Sequence, residues 1–357
     1  MSDPLQLAFV GAGNIAGQYL PTFSGVEELR VVSVYDKDTQ KAKALAEELG
    51  LPVAGSYGEI LGDPEIDAVV NLTIHHAHYE VTRMALEAGK HVYSEKPLAM
   101  TAEEGRALVE LAEAKGLRLA CAPITFLGEA QQTAAAKIRA GGLGEVRVVY
   151  AEMNHGRIET WHPSPAPFYA VGPVLDIGPY PLTLVTSILG PAVSVQAFGR
   201  VVKPERLTRD GEPFTISKPN FVVAVIELAS GAVLRLTVNF YVGKPSNQGH
   251  AVEFHGDDGA LRVASSFNFS ADTHFGAWGN QEYDHLELVR PGYAGVEWCR
   301  GLVDLARAIK EGRPHRADGR LALHVLEIMC AIDASVAAGG GTRPITSTFD
   351  PPELLFA

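Results

Sequence analysis

Apolar and polar positions along the chain follow two different rhythms. Leu5 to Val10 is a short apolar run ending in glycines. Leu29 to Tyr35 (LRVVSVY), Asp67 to Thr73 (DAVVNLT), Lys90 to Ser94 and Leu117 to Ala122 repeat that pattern. Uninterrupted β-branched runs of this kind suit strands buried on both faces of a parallel sheet. Between them lie stretches with helical spacing. Asp38 to Leu49 stops at Gly50, and His78 to Ala88 is closed by Gly89, a residue that serves well just past a helix end. Thr101-x-x-Glu104 is a capping box ahead of Leu108, Leu111 and Ala112. Strands alternating with helices predict an α/β Rossmann-type doubly wound parallel sheet over residues 1–122.

Beyond Pro123 the rhythm changes. A helix near 126–140 leads to a strand, Glu145 to Met153, and then to a Pro- and aromatic-rich loop, Trp161 to Tyr169. A helix is expected from about Leu175 to Leu189. Strand-like runs follow at 192–202, 221–228, 233–241, 250–255 and 260–264, with turn signals at Gly231 and Asp257-Asp258-Gly259. Strands joined by short turns make an antiparallel sheet. Two further helices are expected near 296–310 and 319–337. Residues 123–357 therefore read as an α+β domain built on a large, mainly antiparallel open sheet.

Composition narrows the function classes. The chain has 357 residues, 46% apolar and 20% charged, with a formal net charge of −12. That excludes a basic nucleic-acid footprint and a polybasic membrane anchor. No apolar stretch approaches membrane-spanning length. The N-terminus MSDPLQLAFV lacks a basic segment and reads as the lead into a first strand, not a signal peptide. Cys121, Cys299 and Cys330 are far apart and odd in number. They are expected to be reduced thiols in a cytoplasmic protein.

The chemistry starts at Gly11-Ala12-Gly13-Asn14-Ile15-Ala16, which matches G-x-G-x-x-A between a strand and a helix. The first glycine permits a tight turn, and the second lets the backbone approach a pyrophosphate. The small third residue lets helix and strand pack closely. Phosphate then sits on the helix N-terminus beside Gly13, Asn14 and Ile15, where N–H groups and the dipole favour negative charge. A second strand ends in Asp36, at the spacing the dinucleotide fingerprint requires. Asp36 accepts ribose hydroxyls and repels a 2′-phosphate, which favours NAD, while Lys37 beside it could accommodate NADP. Pro21 within the first helix implies an early helix end.

The strand Lys90 to Ser94 runs directly into Glu95-Lys96-Pro97, and ligands bind at the carboxyl ends of strands in open parallel sheets. Taken alone, Lys96 is a surface lysine before a turn proline. Together, AGKHVYSEKPLAM, the earlier NLTIHHAH and the later LDIGPYPL resemble the glucose–fructose oxidoreductase, inositol dehydrogenase and MocA (Gfo/Idh/MocA) family. The resemblance implies a Rossmann domain joined to a large open sheet whose outer face forms homodimers or homotetramers. It also implies hydride transfer between NAD or NADP and a sugar, cyclitol or related polyol. By motif, Lys96 matches the family's catalytic lysine and Glu95 lies near the nicotinamide ribose. Thr73 and His75 would line the dinucleotide, with His78 close behind. Where the family often carries proline, this chain has Ile74. His75, His76 and His78 also invite a metal reading, but they lie on a loop and helix start without an obvious carboxylate or thiolate partner, and no metal is expected.

Asp176-Ile177-Gly178-Pro179-Tyr180 is expected to open a helix, so that Asp176 and Tyr180 lie four apart on one face. The family commonly has D-x-G-x-H; here Tyr180 stands in for the histidine, as in a subgroup of the family. The resemblance implies that Tyr180 and Lys96 hold the reacting oxygen and move its proton. Asp176 would bind a neighbouring hydroxyl or orient Lys96. Without it, Asp176 reads as a helix N-cap and Tyr180 as a core aromatic. His155, Trp161 and His162 lie in a loop suited to stacking on a sugar ring, or equally to packing against the sheet. Two alternatives from the same fold are an NAD-dependent glycosidase and a non-catalytic sugar-sensing regulator.

Overall fold

The computed structural model describes residues 3–243 and 246–356. Met1 and Ser2, which begin the expected lead into the first strand, lie outside them. The chain divides into two compact units, one running through Ile124 and including Glu297–Leu326, the other comprising Thr125–Val296 and Glu327–Ala357.

The first unit contains β1 (Leu5–Val10), α1 (Asn14–Tyr19), β2 (Leu29–Tyr35), α2 (Thr39–Leu49), α3 (Tyr57–Gly62) and β3 (Ala68–Asn71). It continues through α4 (His78–Glu87), β4 (His91–Ser94), α5 (Ala102–Ala114) and β5 (Leu119–Cys121). The strands form a parallel sheet in the order β2-β1-β3-β4-β5. The helix signals work locally as expected. Asp38 caps α2 by accepting from Gln40 N–H, and Gly50 ends it in the left-handed region. Both halves of the Thr101–Glu104 capping box form at α5. Pro21 does end the first helix early, since Leu20–Phe23 tightens into a 3₁₀ turn.

The second unit contains α6 (Glu129–Arg139), β6 (Val146–Asn154), α7 (Ala166–Val171), α8 (Pro173–Ile177), α9 (Pro179–Leu189), β7 (Ala192–Arg200), β8 (Glu205–Leu207) and β9 (Pro213–Thr215). After these come β10 (Phe221–Leu228), β11 (Val233–Asn239), β12 (Val252–Gly256), β13 (Gly259–Val263), β14 (Thr273–Ala277) and β15 (Asp284–His285). Near the C-terminus the chain forms α10 (Arg300–Glu311) and α11 (Gly319–Ala337), followed by β16 (Arg343–Pro344). Among the described residues the main sheet has nine strands in the order β15-β14-β13-β12-β6-β11-β10-β7-β16. Its pairs are antiparallel except β6 with β11. One face carries Val195, Ile226, Leu234, Val149, Phe254 and Leu261, all buried, and α6, α8 and α9 pack on it. The other face leaves Phe198, Val225, Val233 and Tyr150 exposed.

Three expectations are corrected. The helix expected over 175–189 is two helices, because Pro179 and Pro181 have no N–H to bond back to Leu175 and Ile177. Asp176 therefore lies in the first turn of α8 and Tyr180 near the start of α9. The second half of the expected aromatic loop is instead the start of the short helix α7, which runs on to Val171. The first unit also reclaims a later segment, which the expected domain 123–357 had placed with the second. α10 buries Leu302, Leu305 and Ala308 and packs on β2. Past its end, Ala317 accepts from Cys121 N–H at 3.0 Å and Asp318 bridges to Ala120. Chain order does not reveal such a return, since only burial of the α10 stripe selects it.

Gly301 sits where this segment meets β4 and the residues after β5. A Cβ there would lie 2.3 Å from Ile124 Cγ2 and 3.0 Å from a Tyr93 ring carbon. Alanine favours a helix interior over glycine by about 1 kcal/mol, whereas overpacking a rigid core costs about 1–3 kcal/mol. Gly301→Ala is therefore expected to destabilise the first unit. A rise in its urea midpoint would contradict this packing.

Candidate cofactor and substrate sites

The parallel register leaves the strand ends of the first unit level. Tyr35, Val10, Asn71, Ser94 and Cys121 pair in sequence across the sheet. Asp36, Gly11, Thr73 and Glu95-Lys96 thus leave the sheet along one edge. From β2 to β4 is three strand spacings, about 14 Å, room for an extended ligand.

Gly11 has φ +103°, and a Cβ on it would lie 2.5 Å from Leu72 O. No other residue fits there. Gly13 caps α1 with no side-chain hydrogen bond and no acid in the first turn. A Cβ on Gly13 would meet nothing within 4 Å. The open space and free helix start beside Asn14 and Ile15 fit a phosphate-bearing cofactor. Asp36 is held rigidly, its two oxygens each accepting at 2.8 Å, one from Ala12 N–H and one from Asp38 N–H. Lys37 is exposed.

The loop after β3 is set by Asn71, which is fully buried. Its Oδ1 accepts from Thr73 Oγ1 at 2.6 Å, and its Nδ2 donates to His78 O and Thr82 Oγ1, both at 3.1 Å. His75 is half-buried, its ring edge-on to that of His78. His78 itself is 1% exposed, with Nδ1 2.7 Å from Pro97 O and Nε2 3.1 Å from Thr73 O. Both ring nitrogens lie against backbone carbonyls, so His78 braces the loop. Burial pushes its pKa below the ordinary value, against the pull of the two carbonyls. Among the described residues no group of three or more His, Cys, Asp or Glu could hold a metal ion.

Glu95 is buried. Its Oε1 accepts from the Tyr19 hydroxyl at 2.7 Å and its Oε2 from Lys96 N–H at 3.2 Å. The Tyr19 hydroxyl also lies 3.2 Å from that of Tyr93, with the two rings edge to face. Burial first, and then the charge of Glu95, hold the Tyr19 phenol well above its ordinary pKa. The sequence pattern missed these two tyrosines. Tyr19 follows the glycine loop by six positions and Tyr93 sits in a buried strand, so only their convergence on Glu95 marks them. Lys96 is half-buried at the end of β4.

In the second unit Asp176 and Tyr180 are both buried, and the Tyr180 ring meets Phe267 edge to face at 5.0 Å. His155, Trp161 and His162 do come together in one aromatic cluster. His155 lies edge-on to Trp161 at 5.5 Å and stacks on His250 at 5.9 Å, while Trp161 and His162 both meet Phe168. His162 Nδ1 is engaged by Ser164 N–H at 3.0 Å. Trp161 keeps 45% of its surface exposed, so the loop packs and still presents an aromatic face. A buried ion pair anchors it. Arg206 donates to Glu159 Oε1 at 2.7 Å and to the Tyr169 oxygen at 2.8 Å, and Tyr169 donates to Glu159 Oε2 at 2.6 Å. Although burial raises the Glu159 pKa, bonds from Tyr169 and Arg206 bring it below its ordinary value.

Comparisons with known proteins agree on the family. Residues 5–122 match the GFO_IDH_MocA model, described as an oxidoreductase family with an NAD-binding Rossmann fold, and residues 131–262 match the GFO/IDH/MocA C-terminal domain. A D-glucoside 3-dehydrogenase from Escherichia coli (strain K12) is 30% identical over 272 residues, 72% of this chain and 76% of that one. A trans-1,2-dihydrobenzene-1,2-diol dehydrogenase from Oryctolagus cuniculus is 30% identical over 225 residues, 62% of this chain and 65% of that one. The solved structure of an NAD binding oxidoreductase from Klebsiella pneumoniae shares the fold with a TM-score of 0.84, at 20% identity, covering 97% of this chain and 100% of that one. Among the described residues no helix is long and apolar enough to cross a membrane.

Two outcomes follow from these networks. Tyr19→Phe, which removes a bond to a charged acceptor, is expected to cost about 1.5–3 kcal/mol, against about 1 kcal/mol for Tyr93→Phe; equal losses in urea unfolding would contradict the network. The depressed pKa of Glu159 contributes stability above the unfolded carboxylate range, which is lost as pH falls through the folded value. Glu159→Gln should be less stable at pH 7 and show a flatter stability profile between pH 5 and 3 than the native chain.

Proposed function

Because the chain belongs to the Gfo/Idh/MocA oxidoreductase family and is an NAD(P)-dependent oxidoreductase, we propose that it interconverts a CH–OH group of a sugar, cyclitol or related polyol and the corresponding carbonyl. The observation that carries this is the Glu95-Lys96 turn, which leaves β4 on the same sheet edge as the glycine loop and Asp36. The relatives support the substrate class, one being named for a D-glucoside and another for a diol.

Gly11, Gly13, Asn14 and Ile15 would hold the pyrophosphate, and Asp36 the adenosine ribose, its charge favouring NAD over NADP. Thr73, His75 and Glu95 would complete the cofactor contacts. When bound, the nicotinamide accepts or donates the hydride. Lys96 is proposed to hold the reacting oxygen with its ammonium and, with Tyr180 in place of the family's usual histidine, to move the proton at that oxygen. Asp176 would bind a neighbouring hydroxyl or orient Lys96. The exposed face of Trp161, with His155 and His162, suits the apolar side of a sugar ring. Self-association, as a homodimer or homotetramer, is proposed to use the outward face of the nine-stranded sheet.

A panel of pentoses, hexoses, inositols and D-glucosides with NAD and NADP, read at 340 nm, tests this. Turnover of at least one polyol is expected, with NAD preferred. Lys96→Met and Tyr180→Phe should lower kcat by about 10²–10⁴-fold while leaving coenzyme binding in place. Full turnover in Tyr180→Phe would remove that residue from the mechanism. Aglycone release from glucosides with no net NADH would point to glycoside cleavage instead.

A further inference from the structure

Lys96 is fixed from both sides by buried groups. On its N-terminal side, its own N–H donates to Glu95 Oε2. On its C-terminal side, the carbonyl of Pro97 lies 2.7 Å from Nδ1 of His78, and the other nitrogen of that ring lies 3.1 Å from Thr73 O. One imidazole therefore spans the ends of β3 and β4. Its own backbone is tied in turn, since Asn71 Nδ2 donates to His78 O. A neutral imidazole has a single N–H. That proton is assigned to Nδ1, the nitrogen with the shorter contact, toward Pro97 O. The Pro97 carbonyl is thus the one His78 holds by donation.

We propose that His78 is a positioning residue for Lys96: by gripping the Pro97 carbonyl it sets the height of the lysine relative to the Thr73 segment. This rests on Lys96 acting at the reacting oxygen. Displacing a reacting group by part of an ångström costs about 10–100-fold in rate, so a loose turn would be felt in kcat.

The two isosteric amides separate this role from simple core packing. Asparagine places its N–H where Nδ1 stood and still reaches Pro97 O, whereas glutamine places it where Nε2 stood and reaches Thr73 O. His78→Ala is expected to lower kcat by about 10–100-fold. His78→Asn should restore most of that loss, and His78→Gln should not. NADH affinity, measured by calorimetry, should differ little between the two amide variants. A second readout needs no substrate. The ¹³C resonance of reductively methylated Lys96, assigned with Lys96→Arg, should sit near its native position in His78→Asn and move in His78→Gln. The proposal is overturned if that resonance responds alike in both variants, or if neither variant folds, which would make His78 a core residue only. If no polyol is turned over by the native chain, the oxidoreductase substrate class fails, while the lysine resonance still decides the role of His78.

Discussion

The approach of Gly11 to the Leu72 carbonyl is the constraint on which the first unit's chemistry rests. Any side chain there would collide with backbone, so the chain leaves β1 by passing tightly over the end of β3. That path opens the start of α1 and brings Ala12 N–H to Asp36. Glycine loop and acidic residue, 24 positions apart in the chain, then become one rigid edge. The cradle is held by the protein's own backbone and by Asp36, which limits the ordering that binding must cost.

The same sheet edge concentrates buried polar groups. Asn71, His78, Glu95 and Tyr19 are all nearly or fully inaccessible, and burying such groups is costly unless each finds a partner. They find one another or nearby backbone. Asn71 ties the Thr73 loop to the start of α4, His78 ties that loop to the Lys96-Pro97 turn, and Tyr19 with Lys96 N–H satisfies Glu95. An unpaired member would leave its neighbours unsatisfied, so the network holds as a whole. Its effect is to give Glu95 and Lys96 one orientation.

In the second unit a buried ion pair has the corresponding task. Arg206, reaching from β8, clasps Glu159 and Tyr169 and so pins both sides of the loop carrying Trp161 and His162. The loop is packed by its own aromatics, yet Trp161 remains half in solvent. Anchoring from below and exposure above are what a stacking surface needs.

Much of this was legible in the chain itself. Buried β-branched runs, helix caps at Asp38 and Thr101, the glycine fingerprint and the turn at Lys96 are local signals, and local physics decided them. The order of strand and helix patterns also determined the fold class. Other features depend on where distant segments come to rest. The prolines at 179 and 181 were visible, but the split they impose between Asp176 and Tyr180 required the helix to be built. The return of 297–326 to the first unit, the tyrosines behind Glu95 and the two carbonyls on His78 follow from burial and packing among residues far apart in sequence. Periodicity says which face of an element is apolar. Only the tertiary structure decided which partner covers it, and which buried polar groups must therefore satisfy one another.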